Sequence, residues 1–110
     1  MTIIIRTDNP AQLLSDIRKQ ISQKHIETWS FDSDGDFTHT PEQWRFKAWL
    51  RPHVESGQLR FSLISNKSQT LTKSVYGVYH GRFSEMLLTH FQESIADVRA
   101  TPKQGTYVGA

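Results

Sequence analysis

Short runs of alternating or β-branched apolar residues recur along this chain and predict β-strands. The segment "TIIIR" is β-branched, and "LRFSLIS" places Leu59, Phe61 and Leu63 on one face. The segment "IETWSFD" alternates, "SVYGVYH" is rich in β-branched and aromatic residues, and "IADVRA" is a short final candidate. We therefore expect a strand at each of these five segments.

The segment "WRFKAWLRP" also alternates and predicts a strand with one apolar and one basic face. The row expected to face the core is Trp44, Phe46, Ala48 and Leu50. The opposite row is Arg45, Lys47, Trp49 and Arg51. A helix opened by Thr40 and Pro41 is the alternative, but helical spacing would scatter the charges among the tryptophans. We expect Pro52 to end the strand, because proline has no N–H for the ladder.

Two segments show the spacing of amphipathic helices. The first follows Asn9, which can cap a helix, and Pro10, which is favoured at the first helical position. Its apolar stripe is Leu13, Leu14, Ile17 and Ile21. The second is "GRFSEMLLTHFQES", and its stripe is Phe83, Met86, Leu87, His90 and Phe91. We expect His90 to be packed in the core with the rest of that stripe.

The predicted order β-α-β-β-β-β-α-β indicates an α+β fold. We expect a two-layer sandwich in which both helices cover one face of a mostly antiparallel sheet. The chain has 110 residues, which is typical of one domain. We place that domain at 1–101 and a flexible C-terminal tail at 102–110, where turn residues occur without a periodic pattern.

Composition narrows the possible functions. The chain has no cysteine, which excludes disulfides, thiolate metal sites and cysteine nucleophiles. No apolar run approaches the roughly 20 residues of a membrane span, and "MTIIIRTDNP" lacks the apolar core of a signal peptide. We therefore expect a cytoplasmic protein that binds no membrane. The formal net charge of +2 is too small to indicate nucleic acid unless the cations are concentrated in one patch.

The stretch "DSDGDFTHTPEQ" resembles the first half of an EF-hand calcium loop. The positions of that family's first three side-chain ligands are occupied by Asp32, Asp34 and Asp36. The resemblance ends at Phe37 and Gln43, where the family has a glycine and a bidentate glutamate. We therefore expect a connection between two strands that turns at Asp34-Gly35 and needs no cofactor. A weak cation site formed by the three aspartates is the alternative.

Two other arrangements could carry chemistry. A metal triad of His39, His80 and an aspartate would need long-range geometry that a sequence does not show. The segment "VYHGRF" predicts a strand, a glycine and a helix start, where free N–H groups attract anions. His80, Gly81 and Arg82 could gather a phosphate or carboxylate there. The alternative is that Gly81 only makes a tight turn while Arg82 points to solvent.

The basic and aromatic row is the candidate for a binding surface: Arg45, Lys47, Trp49 and Arg51, with Arg60 from the next strand beside it. Tryptophan and arginine are enriched where proteins recognise one another, so this face suits an acidic protein partner. Stacked bases and phosphates would also suit it, but the glycine–aromatic run of RNA-binding sheets is missing. The tail or a second copy of the chain could instead cover the face.

We therefore expect a small binding or regulatory module without catalysis of its own. Its partner would be another protein, or a second copy of this chain in a homodimer. Two alternatives stay open: a metal-dependent hydrolase that uses Asp32, Asp34 and Asp36 with a histidine, and a nucleic-acid-binding domain. The ligand, the oligomeric state and the strand order do not follow from the sequence.

Overall fold

A computed structural model describes residues 2–102 as one antiparallel sheet with two α-helices, which confirms the α+β class. The strands are β1 (Thr2–Arg6), β2 (Trp29–Phe31), β3 (Phe37–His39), β4 (Ala48–Glu55), β5 (Gln58–Ser65) and β6 (Asp97–Ala100). The helices are α1 (Pro10–Ser22) and α2 (Lys73–His90), followed by a 3₁₀-helix at Gln92–Ser94. The strand order in the sheet is β2-β3-β4-β5-β1-β6. The predicted tail lies outside the described residues apart from Pro102, and the division at 101 stays a prediction.

The core forms where apolar residues of the central strands meet across the sheet. The cross-strand pairs are Ile3–Phe61, Ile5–Leu59 and Leu50–Leu63, and all six residues are fully buried. Both helices contribute to the same cluster, through Leu13, Leu14, Ile17, Phe83, Met86 and Leu87. The ring of Phe83 lies 4.7 Å from that of Phe61 and 4.9 Å from that of Trp29. Placement of both helices on one face of the sheet stays a prediction.

Helix α1 begins where its sequence predicts. The Asn9 side chain accepts a hydrogen bond from the Gln12 N–H at 3.2 Å, and Pro10 is the first helical residue. Leu13, Leu14 and Ile17 are buried, as their spacing predicts. A local start signal and a one-sided apolar stripe together specify this helix.

The prediction for "SVYGVYH" is wrong, because these residues form the first half of α2 rather than a strand. The side chain of Thr72 caps this helix by accepting a hydrogen bond from the Val75 N–H at 3.1 Å. The buried positions of α2 are Val75, Tyr76, Tyr79, His80, Phe83, Met86 and Leu87. They recur at helical spacing, so burial on one stripe outweighs the strand preference of aromatic and β-branched residues. His90 is exposed, which corrects its predicted place in the core.

The region between β2 and β5 also differs from its prediction. Strand β3 was not expected, and residues 41–47 form a turn instead of the first half of a strand. The N–H groups of Trp44 and Arg45 both donate to the Pro41 carbonyl, so the chain makes one helix-like turn before β4. The predicted number of strands matches only because this missed strand offsets the strand wrongly predicted in α2.

Strand β4 continues through Pro52, where we expected it to end. Pro52 lies opposite Phe61 of β5, whereas β3 pairs with β4 only at Phe37–Leu50. Beyond that point no strand among residues 2–102 pairs with the other side of β4, so a residue without an N–H is tolerated there. No helix within residues 2–102 is long and apolar enough to cross a membrane.

Candidate functional site

The turn before β4 presents an exposed aromatic residue in a strained conformation. Phe46 has a φ of 60°, and 55% of its surface is exposed. Its N–H donates to Thr38 Oγ1 at 3.2 Å, and its carbonyl accepts from Asn66 Nδ2 at 2.8 Å. The ring stacks on that of Trp49 with 6.4 Å between centroids and 24° between planes. Two other parts of the chain therefore hold this backbone in place.

The strain at Phe46 lacks a compensating gain from burial. A left-handed backbone costs a non-glycine residue roughly 1–2 kcal/mol. An exposed ring recovers little of that by leaving water, whereas a buried ring would recover more. Strained residues that the surroundings hold in place cluster at functional sites. We use "aromatic corner" for Phe46 and Trp49 together with Arg45 and Lys47, which flank Phe46 in the chain.

A buried oxygen supports the aromatic corner from inside. Thr38 Oγ1 donates to the Ala48 carbonyl at 3.1 Å and lies 3.0 Å from the Tyr79 hydroxyl. That hydroxyl donates to the Trp44 carbonyl. The turn is thus connected to β3, β4 and α2 through side chains that are far apart in sequence. A pattern of apolar and polar positions does not contain this information, so Phe46 was wrongly predicted to face inward.

The predicted basic row is divided in the structure. Ala48 and Leu50 are buried while Arg51 is exposed and Trp49 is half-buried, so the predicted phase is right within β4. Arg45 and Lys47 lie in the preceding turn and not on the strand. Neither of these two cations forms an ion pair with another residue of the described part of the chain.

The other two arginines of the predicted surface already have partners. Arg51 donates to both carboxylate oxygens of Asp36, from Nε at 3.0 Å and from Nη2 at 2.8 Å. That hydrogen bonding raises the pKa of Arg51. Arg60 donates to Glu55 at 3.0 Å, and Gln58 donates to the same carboxylate at 2.6 Å. Hydrogen bonds from Gln58 and then from Arg60 lower the pKa of Glu55.

The acidic stretch is a hairpin turn between β2 and β3, and its turn at Asp34-Gly35 is confirmed. Asp32 Oδ1 accepts from the N–H groups of Asp34 and Asp36, both at 3.0 Å, and Gly35 has a φ of 83°. Ligand atoms of the three aspartates lie within 4.8 Å of one another. Backbone contacts and Arg51 account for this cluster, so we propose no metal there. Among residues 2–102, neither His39 nor His80 joins an aspartate in a group of that kind.

The predicted anion site rests on a wrong secondary structure. His80, Gly81 and Arg82 lie inside α2, where backbone N–H groups are used within the helix. His80 is 4% exposed, and its Nδ1 donates to the Tyr76 carbonyl at 2.8 Å. Its ring stacks on Tyr76 with 3.9 Å between centroids, and burial lowers its pKa. Arg82 is exposed, so these residues do not converge on a helix start.

His39 was considered in the sequence analysis only as one member of an alternative metal triad. It lies in β3 with 1% of its surface exposed, and its ring centroid is 4.5 Å from that of Trp29. Its Nδ1 donates to the Thr28 carbonyl at 2.7 Å, and its Nε2 has no partner among the described residues. The turn at Asp34-Gly35 followed by "FTH" was the signal for the hairpin that buries it.

Comparison with known proteins adds no functional identity. No protein-family model, curated protein or solved structure matches this chain. Side-chain geometry is therefore the remaining guide to function. The aromatic corner and His39 are two features that cost the fold free energy without an evident structural return.

Proposed function

We propose that this protein is a non-catalytic binding module whose aromatic corner binds an acidic segment of another protein. The observation that carries this proposal is the strained, exposed Phe46, held by Thr38 and Asn66 and stacked on Trp49. A ring held in place before binding loses little conformational entropy when a partner arrives. Aromatic residues and arginine are also the side chains that contribute most to protein recognition.

The charges at the aromatic corner favour an acidic partner. Arg45 and Lys47 flank Phe46 and are free of ion pairs within the described chain. A carboxylate that approaches the rings would supply the opposite charge, which raises the association rate and selects the partner. The carboxylates at the β2–β3 turn lie beside Arg51 instead, and Asp36 compensates that arginine.

The two alternative functions have less support. A metal-dependent hydrolase would need the aspartates free to bind an ion, but Asp36 is engaged by Arg51 and Asp32 by two backbone N–H groups. A nucleic-acid-binding surface would need several unpaired cations. The aromatic corner has two cations that are unpaired within the described chain, Arg45 and Lys47. The acidic β2–β3 turn lies beside β4, the strand that carries Trp49, and its negative charge would repel phosphates.

Selection from a random displayed peptide library tests the proposal. We expect the unmodified protein to enrich acidic peptides that contain an aromatic or aliphatic residue. Phe46→Asn should abolish enrichment while preserving the fold, because asparagine tolerates a left-handed backbone. Leu88→Ala is the matched control, since Leu88 is also an exposed apolar residue but lies on α2.

Three results would contradict the proposal. The first is that the selected peptides bind Phe46→Asn as well as they bind the parent. The second is that these peptides carry no acidic residues. The third is that sedimentation shows a dimer for the parent and a monomer for Phe46→Asn. In that last case the aromatic corner would bind a second copy of this chain and not an acidic segment.

A further inference from the structure

A pocket of about 560 Å³ lies between the segment after α1, strand β3 and the C-terminal half of α2. That volume falls within the range of small-molecule sites. His39 forms part of its wall, together with Thr28, Arg82 and Glu85. None of these residues belongs to the aromatic corner, so this pocket is separate from the proposed protein-binding surface.

The hydrogen bonding of His39 fixes its tautomer. The Thr28 carbonyl at 2.7 Å can only accept, so the hydrogen of the neutral ring is on Nδ1 and the lone pair is on Nε2. Burial lowers the pKa of His39 and outweighs the hydrogen bond to the Thr28 carbonyl, which raises it; Arg82 lowers the pKa further and Glu85 opposes that smaller effect. The imidazole is therefore neutral at neutral pH, and Nε2 is a hydrogen-bond acceptor.

This acceptor is unsatisfied in the protein alone. Nε2 is buried and has no donor among residues 2–102. A buried polar atom without a partner costs the fold free energy, and most buried polar atoms in folded proteins have a partner. A ligand that donates a hydrogen bond to Nε2 would recover that cost.

The rim of the pocket carries two cations and two carboxylates. They are Lys24, Arg82, Glu27 and Glu85, and all four are exposed. None of them takes part in the ion pairs found in the described part of the chain. Arg82 and Glu85 are three residues apart on α2 and so lie on the same side of the helix. Two cations and two carboxylates that form no ion pairs within residues 2–102 complement a ligand that carries one positive and one negative charge.

We propose that this pocket binds a small zwitterion, an amino acid whose side chain carries a hydroxyl or N–H donor. Arg82 and Lys24 face the carboxylate, Glu85 and Glu27 face the ammonium group, and His39 Nε2 accepts from the side-chain donor. Because Nε2 is buried, binding requires a residue of the pocket wall to move, and we assign this movement to Met86, which lines the pocket and has an unbranched, adaptable side chain.

A metal ion fits the pocket less well. The three aspartates of the β2–β3 turn are the one group of imidazole or carboxylate ligands close enough to share an ion among the residues described. The histidines and glutamates of the pocket do not form such a group. An organic ligand does not need these groups to converge on one point, because its own charged groups are separated along its framework.

Nitrogen NMR of the histidine side chains tests this proposal directly. The probes are the free L-amino acids, titrated one at a time into protein labelled with ¹⁵N at histidine. We expect at least one donor-bearing amino acid to shift the His39 Nε2 signal. Its isostere without the donor, such as valine for threonine or phenylalanine for tyrosine, should bind roughly tenfold more weakly. The Nε2 signal of His80, which is also buried and unpartnered, should not move.

Two variants separate this site from an unspecific effect of charge. Arg82→Gln should weaken binding of the same amino acid by roughly tenfold or more, because a charged hydrogen bond to the carboxylate is lost. Arg99→Gln is the matched control, since Arg99 is exposed on β6, and its affinity should equal that of the parent.

The proposal is overturned if no amino acid moves the His39 signal, or if isosteres with and without the donor bind equally. It is also overturned if Arg82→Gln and Arg99→Gln weaken binding to the same extent. All of these readouts are independent of the peptide selection, because that selection depends on Phe46.

Discussion

His39 and His80 are two buried histidines with the same hydrogen bonding and different surroundings. In each, Nδ1 donates to a backbone carbonyl and Nε2 has no partner among the described residues. His80 stacks on Tyr76, one turn earlier in the same helix. His39 instead lines a pocket with Arg82 and Glu85. An unsatisfied buried nitrogen is thus not a site in itself, and the groups around it decide whether a ligand can satisfy it.

The largest expected effect comes from removing the packing beneath His39. Phe83 is fully buried and contacts Trp29, whose ring lies against His39. Phe83→Ala should lower the free energy of unfolding by about 3–5 kcal/mol, as measured by urea denaturation. Leu88→Ala, at an exposed position of the same helix, should change it by less than about 0.5 kcal/mol. A loss below about 1 kcal/mol for Phe83→Ala would mean that this ring does not support the strand of His39.

Thr38, the neighbour of His39 in β3, is also buried, but its hydroxyl forms hydrogen bonds where His39 Nε2 forms none among residues 2–102. Thr38→Val keeps the shape but removes the partner of the Ala48 carbonyl and of the Phe46 N–H. We expect the free energy of unfolding to fall by about 1–3 kcal/mol in urea denaturation. The peptide-binding surface should be lost as well. If stability is unchanged, the hydrogen bonds of Thr38 do not hold the turn.

Acid should destabilise the protein through both histidines. Burial lowers the pKa of His39 and of His80, so as the pH falls the unfolded chain is protonated first, near pH 6.5. Above that pH both states are neutral at these histidines and the free energy of unfolding is unaffected by them. Below it, protonation of the unfolded chain lowers the free energy of unfolding. Over the pH range in which only the unfolded state is protonated, each histidine should lower the free energy of unfolding by about 1.4 kcal/mol per pH unit. Urea denaturation between about pH 7.5 and about pH 5.5 measures this slope.

Variants of the two histidines show how much each one contributes to the change of unfolding free energy with pH. His39→Phe and His80→Phe should each flatten the pH dependence, but only His39→Phe should abolish amino-acid binding. If His80→Phe abolished binding as well, the distinction between the two histidines would fail. If neither variant changed the slope, other groups would cause the acid sensitivity.

The smallest effect is expected at the aromatic corner. Phe46→Asn relieves roughly 1–2 kcal/mol of backbone strain and loses the partial packing on Trp49. We therefore expect thermal and urea denaturation to place it within about 1 kcal/mol of the parent. A loss above about 2 kcal/mol would show that Phe46 is part of the structural core.

The sequence predicts the elements whose signals are local. Asn9 and Pro10 specify the start of α1, and the alternation in β4 assigns Trp49 to the face opposite Leu50. The first half of α2 was missed because its aromatic residues suit a strand equally well, and only burial against the sheet decides between them. The conformation of Phe46 depends on Thr38 and Asn66, which are eight and twenty residues away.

The pocket could not be predicted either, because it also depends on residues that are far apart in sequence. Its walls come from three parts of the chain, and Thr28 and His39 meet only because the β2–β3 hairpin brings them together. The sequence analysis considered His39 only in an alternative metal triad, and His39, His80 and an aspartate do not form a ligand group among residues 2–102.

The contact between Trp29 and His39 gives the chain an optical reporter of its own. Trp29 is buried, with 4.5 Å between its ring centroid and that of His39, whereas Trp44 and Trp49 are partly exposed. Its fluorescence should therefore appear at the short-wavelength side of the emission band. An imidazolium quenches indole emission more strongly than a neutral imidazole does. Emission at that edge thus follows the charge of a single histidine, without a dye or a label.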